Sequence, residues 1–218
     1  MQMKRREFSA AAAGVLGATA LAVPGLGYAQ KAPQEGKDYR VLDKKVPQDA
    51  PAGKIEVIEF FWYSCPHCNA FEPKLQAWLK KLPPDVAFRR VPVAFRDDFV
   101  PQQRLYYTLE AMGKVDELHS KVFAEIHQNR QPTDREDRIV AFAEKNGLDR
   151  AKFQEMYNSF NVQTKARKAK QLQDQYEVDG VPALGVAGRY YTDGTLAGGM
   201  DQALQVVDYL VAQARRTK

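Results

Sequence analysis

Residues 54–71 have the sequence KIEVIEFFWYSCPHCNAF, and this stretch decides the fold. Its first ten residues are rich in β-branched and aromatic side chains, and the last four are continuously apolar. This composition is typical of a strand buried on both faces of a sheet. The apolar residues that follow recur at helical spacing: Phe71, Leu75, Trp78 and Leu79. The stretch therefore predicts a strand that runs directly into a helix, with Cys65 and Cys68 in the first helical turn.

The position of the two cysteines predicts reactive thiols. Free backbone N–H groups and the helix dipole stabilise an anion at a helix N-terminus. Cys65 comes first and is expected to be the exposed thiol, whereas Cys68 lies one turn in and is expected to be covered. Pro66 suits the first turn without losing a hydrogen bond, and His67 adds a donor or a positive charge beside the thiolate. A disulfide between cysteines this close in sequence does little for stability, so the pair indicates chemistry.

Half of a zinc site is the rival interpretation of the cysteine pair. Zinc requires four ligands, and the chain has two cysteines and three histidines. His67, His119 and His127 do not supply a plausible remaining set. We therefore expect no metal.

The composition of the whole chain is that of an ordinary globular protein. Its 218 residues are 44% hydrophobic and 27% charged, which excludes a disordered chain and a multi-pass membrane protein. The net charge of +5 is small and is spread along the sequence. This distribution argues against dedicated binding of nucleic acid.

The first thirty residues are typical of an export signal. Lys4, Arg5 and Arg6 precede an uncharged stretch rich in Ala and Gly, which ends in small residues. This pattern predicts a cleaved signal peptide over residues 1–29. The stretch Arg5–Phe8 also resembles the twin-arginine signature, although Ser9 stands where an apolar residue is usual, so the general export route stays open. Either route places the mature chain outside the reducing cytosol.

The rest of the chain predicts an α/β fold with an inserted all-helical subdomain. Strands are expected near residues 39–42, 86–95, 183–187 and 190–191, and an amphipathic helix is expected at the end. Residues 101–176 show no strand pattern. Within them Thr133 to Glu136 form a capping-box pattern before one helix, and Asp149 is the expected N-cap of another. The predicted division is 30–98 and 177–218 for the α/β domain and 99–176 for the helical insert.

Several motifs together carry a resemblance to one family. They are Glu59-Phe60-Phe61, Cys65-Pro66-His67-Cys68, Phe71-Glu72, Asn158-Ser159-Phe160 near the end of the insert, and Gly180-Val181-Pro182-Ala183 after it. Over essentially the whole mature chain the sequence resembles the DsbA-type thiol:disulfide oxidoreductases of the bacterial periplasm, which have a thioredoxin fold. Trp62 and Tyr63 depart from the phenylalanines frequent in the family, a difference expected to affect the substrate groove only.

The resemblance implies roles for individual residues. Cys65 is expected to be the nucleophile that forms mixed disulfides and Cys68 the resolving partner, with Pro66 and His67 completing the catalytic motif. Glu59 is expected to be buried, with a raised pKa, and to exchange a proton with Cys68. A Glu59 on an exposed pleat is the alternative. Glu72 matches an acidic family position, and a surface residue without a role is its alternative.

Pro182 matches the cis-proline of the family. A cis bond turns the backbone of Val181 toward Cys65 and offers its N–H and C=O to an extended substrate, which binds by β-strand addition.

The implied function is oxidation of paired cysteines in exported proteins. The reactive Cys65–Cys68 disulfide replaces a bound cofactor, and a quinone-linked membrane protein resembling DsbB restores it. We expect a periplasmic monomer. Isomerases of this type usually carry an N-terminal dimerisation domain, and here only about twenty-five residues precede the first central strand, which argues against the isomerase alternative. A reductase or isomerase of the same fold, and a redox-inert or metal-carrying thioredoxin-like module, are the alternatives.

Overall fold

The computed structural model of the protein describes residues 31–217. The predicted signal peptide over residues 1–29 lies outside the described residues. Between residues 31 and 217, no helix is both long and apolar enough to cross a membrane.

The described chain forms one five-stranded sheet with flanking helices, and a run of helices lies between its third and fourth strands. The strands are β1 (Arg40–Val41), β2 (Ile55–Phe61), β3 (Val86–Pro92), β4 (Ala183–Val186) and β5 (Tyr190–Asp193). The helices are α1 (Pro66–Leu79), α2 (Val100–Ala111), α3 (Val115–His127), α4 (Glu136–Lys145), α5 (Arg150–Tyr157), α6 (Phe160–Gln175), α7 (Gly194–Ala197) and α8 (Met200–Arg216), and a 3₁₀ turn covers Asp97–Phe99.

The sheet has the order β1-β5-β4-β2-β3, so β2 lies inside it. β2 pairs in parallel with β3 and antiparallel with β4, and all seven of its residues are buried. This confirms the central strand expected from its apolar sequence. The β2–α1–β3 unit followed by the β4–β5 hairpin and α8 is the thioredoxin arrangement, as the resemblance implied.

Helices α2 to α6 are inserted between β3 and β4 and share a hydrophobic core with the sheet. Phe60 and Phe61 of β2 belong to the same buried cluster as Leu105, Leu118 and Phe153 of the insert. The other face of the sheet packs on α1 and α8 through a second apolar cluster, which includes Val57, Leu75 and Val207. The insert is therefore all-helical, as expected, and the exact boundaries of the three segments stay a prediction.

One expected helix start is wrong and another is confirmed. Helix α4 begins at Glu136, its N-cap is Arg135, and no side chain caps it. The helix thus begins two residues later than the capping-box pattern predicts, and Thr133, whose side chain is buried, lies before the cap. Asp149 does cap α5, accepting a hydrogen bond from the backbone N–H of Lys152 at 2.9 Å.

Candidate active site

Cys65 is the N-cap residue of α1, directly after the central strand. Its sulfur accepts a hydrogen bond from the backbone N–H of Cys68 at 3.2 Å, which satisfies one of the free donors of the first turn. The thiol donates to the carbonyl of Val181 at 3.4 Å. Pro66 occupies the first helical position, where a backbone N–H is not required. The strand and helix therefore hold the thiol where an anion is stabilised.

The two thiols have opposite acidities. The hydrogen bond from Cys68, the backbone donors of Cys68 and His67 and the charge of His67 outweigh burial and lower the pKa of Cys65 to about 6. Burial raises the pKa of Cys68 well above its usual value, and the neighbouring Cys65 raises it further. At neutral pH Cys65 is therefore the thiolate and Cys68 the thiol.

Cys65 is more enclosed than the sequence suggested. We expected it to be exposed, but 6% of its surface is accessible, compared with none for Cys68. The reason is that Val181 lies against its sulfur. Pro66 and His67 are exposed, so the motif reaches solvent through these two residues.

The peptide bond between Val181 and Pro182 is cis, as the resemblance implied. Both residues line an open groove of about 570 Å³ beside His67, which Gly194 and Met200 complete on the far side. The groove therefore brings backbone groups of Val181 and the exposed motif residue His67 to one surface.

Glu59 is buried on β2, with 1% of its surface accessible. The alternative, in which Glu59 lies on an exposed pleat, is therefore wrong. Arg90 lies directly opposite in the β2–β3 register, with its Nε 3.0 Å from a carboxylate oxygen of Glu59. Burial raises the pKa of Glu59 to about 8 despite Arg90, and the charge of Glu72 contributes. Glu59 therefore holds a proton near neutral pH.

Glu72 is buried, and its interpretation as a surface residue is wrong. Its carboxylate accepts hydrogen bonds from Arg90 at 2.9 Å and from Gln76 at 2.7 Å. Burial raises its pKa, but His119 and Arg90 outweigh burial and hold the pKa below its usual value. Arg90 is thus shared by two carboxyl groups, of which Glu72 is the ionised one.

His119, on α3 of the helical insert, lies beside the buried cluster formed by Glu59, Glu72 and Arg90. Its Nε2 lies 3.5 Å from the carboxylate of Glu72, and its Nδ1 lies 2.9 Å from the hydroxyl of Tyr63. Burial lowers the pKa of His119, so the ring is neutral, and this arrangement assigns the proton to Nε2 with Nδ1 accepting from Tyr63. Helix α3 therefore contributes a buried polar group beneath the cysteine motif.

Two further hydrogen bonds tie the insert to the turn before the cysteines. The backbone N–H of Ser64 donates to the side chain of Gln102 at 3.2 Å. The Nε2 of His127 lies 2.8 Å from the carbonyl of Tyr63. The end of the active-site strand is therefore fixed by helices that come much later in the sequence.

Sequence reasoning missed Arg90 and His119. A signal for Arg90 was present, because two arginines interrupt an otherwise apolar strand. His119 lies on the apolar face of a helix and gave no comparable signal. In the described part of the chain, no group of three or more His, Cys, Asp or Glu side chains is arranged to hold a metal ion.

A thioredoxin fold with a C-x-x-C motif at the N-terminus of the helix after the central strand defines a thiol:disulfide oxidoreductase. The chain belongs to the DsbA family of these enzymes, since the family model described as a DSBA-like thioredoxin domain matches residues 56–210.

Individual relatives agree with this assignment. The chain is 45% identical over 206 residues to the thiol:disulfide interchange protein DsbA of Bordetella pertussis, covering 94% of this chain and 95% of the relative. It is 42% identical over 187 residues to that of Burkholderia cepacia, covering 86% and 88%. The crystal structure of Pseudomonas aeruginosa DsbA superimposes with a TM-score of 0.79 at 41% identity, covering 84% of this chain and 94% of that one. These matches confirm the resemblance found in the sequence.

Proposed function

We propose that the protein oxidises pairs of cysteines in exported proteins by donating its Cys65–Cys68 disulfide. The observation that carries the proposal is the contrast between the two thiols. Cys65 has a lowered pKa at a helix N-cap, and Cys68 has a raised pKa beneath it. A site that stabilises the Cys65 thiolate favours the reduced form of the protein, which makes its disulfide a good donor.

The reaction proceeds in two exchanges. A thiolate of the substrate attacks the sulfur of Cys65, the bond between Cys65 and Cys68 breaks, and Cys68 leaves as a thiolate. The second substrate thiolate then attacks the substrate sulfur of the mixed disulfide and releases Cys65 as a thiolate. The substrate loses two electrons and the protein gains them.

Glu59 supplies the proton that Cys68 takes up in the first exchange. Burial raises the pKa of Cys68, the charges of Cys65 and Glu59 raise it further, and Glu59 itself retains a proton near neutral pH because of burial. Neutralising the Cys68 sulfur keeps it from attacking the mixed disulfide in reverse.

Substrates are bound through their backbone at Val181 and Pro182. The carbonyl of Val181 contacts the thiol of Cys65, so an extended chain that pairs with Val181 passes the reactive sulfur. Backbone pairing is tolerant of side chains, which suits an enzyme that acts on many proteins. His67 borders the same groove and contributes to thiolate stabilisation.

The proposal includes a location and a partner. The signal-like residues 1–29 support export to the periplasm, where disulfides persist. There the protein acts as a monomer without a bound cofactor, and a quinone-linked membrane protein resembling DsbB reoxidises Cys65 and Cys68. Nucleic acid is not a partner.

Trapping of mixed disulfides tests the assignment of the two cysteines. Cys68→Ala should accumulate mixed disulfides with exported proteins through Cys65, because the internal resolving thiol is missing. Cys65→Ala is the matched control and should trap almost none. The complexes are counted on non-reducing gels after acid quenching. Equal trapping by the two variants would show that the nucleophile and the resolving cysteine are assigned wrongly.

A further inference from the structure

A second groove, of about 460 Å³, lies between β3 and helices α2 and α6, and the chemistry described above does not use it. We call it the basic groove. Its lining includes Phe95, Arg96, Arg104, Gln163, Arg167 and Lys170.

The exposed aromatic side chains of the protein gather at this groove. Within residues 31–217, Phe95 and Phe160 are the exposed large hydrophobic residues, at 37% and 78%. Phe95 lines the groove, and the ring of Phe160 lies 5.6 Å from the guanidinium of Arg167. Of the motif Asn158-Ser159-Phe160, Ser159 caps α6 and Asn158 accepts a hydrogen bond from Arg104, whereas most of the Phe160 side chain stays in solvent. Exposed apolar groups at a groove indicate a binding surface.

The charge of the groove is positive. Four cations line it with one carboxylate, that of Asp97. Arg96 and Lys170 form solvent-exposed ion pairs with Asp98 and Asp174, which bind weakly. For Arg104 and Arg167, no carboxylate of the described chain lies within ion-pairing distance. Arg104 already donates hydrogen bonds to Tyr157 and Asn158 and stacks on the ring of Tyr157. Exposed Arg167, whose guanidinium donates to the hydroxyl of Thr164, is therefore the cation more available to a partner.

Stacked aromatic rings connect the groove to the active site. Trp62, three residues before Cys65, stacks on Phe99 with ring centroids 3.8 Å apart. Phe99 in turn meets Phe95 edge to face at 5.8 Å. The basic groove therefore begins two rings away from Trp62, which lies between the end of β2 and the reactive thiol.

We propose that the basic groove binds an extended acidic and aromatic segment of the polypeptide that is being oxidised. This inference rests on the proposed function. Carboxylates of the segment accept hydrogen bonds from Arg167, the charge of Arg104 adds to the attraction, and the aromatic side chain of the segment packs against Phe95 and Phe160. The groove adds a preference for sequence to the sequence-tolerant backbone pairing at Val181.

Oxidation of matched peptides tests the inference. Each peptide carries the same two cysteines, with a flank of alternating Glu and Phe or alternating Lys and Phe, on either the N-terminal or the C-terminal side. At low salt the oxidised wild-type protein should prefer the Glu–Phe flank on one side by about fivefold in kcat/KM, the size of one or two surface contacts. Arg167→Glu should abolish or reverse this preference, and Phe160→Ser should reduce it.

Lys168→Glu is the matched control. Lys168 is an exposed neighbour of Arg167 on α6, but it lines a different groove, and its replacement changes the net charge equally. The preference should survive this change. Loss of the preference in Lys168→Glu as well would mean that net charge acts alone, which would overturn the inference.

The remaining outcomes separate this inference from the proposed function. Equal oxidation of all peptides by the wild type would overturn the groove's role and leave the oxidase function standing. Failure to oxidise any peptide would overturn the function, and the inference with it. Sedimentation that shows self-association of the wild type, lost in Arg167→Glu, would show that the groove binds a second copy of the chain, contrary to the proposal.

Discussion

Two buried glutamate–arginine pairs lie on the same two strands, one on each face of the sheet, and they differ in how well they are satisfied. The carboxylate of Glu56 accepts two hydrogen bonds from Arg89, at 3.0 and 3.3 Å, and one from the backbone N–H of Asp49. Arg89 keeps 30% of its side chain in solvent. This pair is isolated from the cysteines and has the features of a structural ion pair.

The pair of Glu59 and Arg90 is less complete. Arg90 is 10% exposed and also binds Glu72, so one cation serves two buried carboxyl groups, whereas the second carboxylate near Arg89 is that of exposed Asp49, at 3.6 Å. The cluster balances its charge by keeping a proton on Glu59, whose pKa rises to about 8. Glu56 and Glu59 lie three residues apart on β2 and therefore on opposite faces of the sheet. Glu56 forms a stable ion pair on one face, whereas Glu59 holds a proton close to Cys68 on the other.

Replacing the two arginines should give the largest difference in stability between the two pairs. Arg90→Met leaves two buried carboxyl groups without their cation and should cost about 3–5 kcal/mol of unfolding free energy at pH 7. Arg89→Met should cost less, about 1–3 kcal/mol, because Arg89 is partly exposed and Glu56 keeps its hydrogen bond from the backbone of Asp49. Urea unfolding measures both. Equal losses would mean that the two pairs are equivalent and that the comparison fails.

Replacing the two glutamates should change the stability of the reduced protein in opposite directions. A carboxyl group whose folded pKa is raised binds its proton more tightly in the folded state, so wild-type stability falls as pH rises from about 4.3 to about 8. Glu59→Gln removes this penalty and should stabilise the reduced protein relative to wild type more at pH 8 than at pH 5. Glu56→Gln should destabilise it, since the hydrogen bonds of a satisfied carboxylate are weakened.

The same pair of variants should differ in catalysis. Glu59→Gln should slow substrate oxidation and change its pH dependence, because the proton for Cys68 is lost. Glu56→Gln should keep the wild-type pH profile. Stopped-flow oxidation of a dithiol peptide between pH 5 and 9 measures this. An unchanged profile in Glu59→Gln would show that Glu59 only fills space.

The contrast between the pairs also shows what the sequence could predict. The apolar run of β2 and the cysteines after it determine the strand, the helix and the acidity of Cys65, because these depend on neighbours within one turn. Glu59 was recognisable as a charge inside an apolar strand. Arg90, Glu72 and His119 meet only when β3, α1 and α3 pack together, and no local pattern encodes that meeting.

The two errors near the site and in the insert have the same origin. Cys65 is covered because Val181, more than one hundred residues later, packs on its sulfur. Thr133 does not cap α4, because the helix begins two residues later than the capping-box pattern predicts, and its side chain is buried. In both cases the packed fold departs from what the local pattern predicts.

Melting of the reduced and oxidised forms across pH tests most directly whether the site stabilises the Cys65 thiolate. A lowered folded pKa contributes stability that is fully present above the unfolded value of about 8.5 and is lost as pH falls through about 6. At pH 7 about 1 kcal/mol of this stability remains, so the reduced form should melt about 2–4 °C above the oxidised form. The short Cys65–Cys68 loop adds little stability of its own to the oxidised form.

The difference should shrink toward pH 5, and Glu56→Gln should leave it unchanged. An oxidised form that melts higher at pH 7 would contradict the account and indicate a reductase.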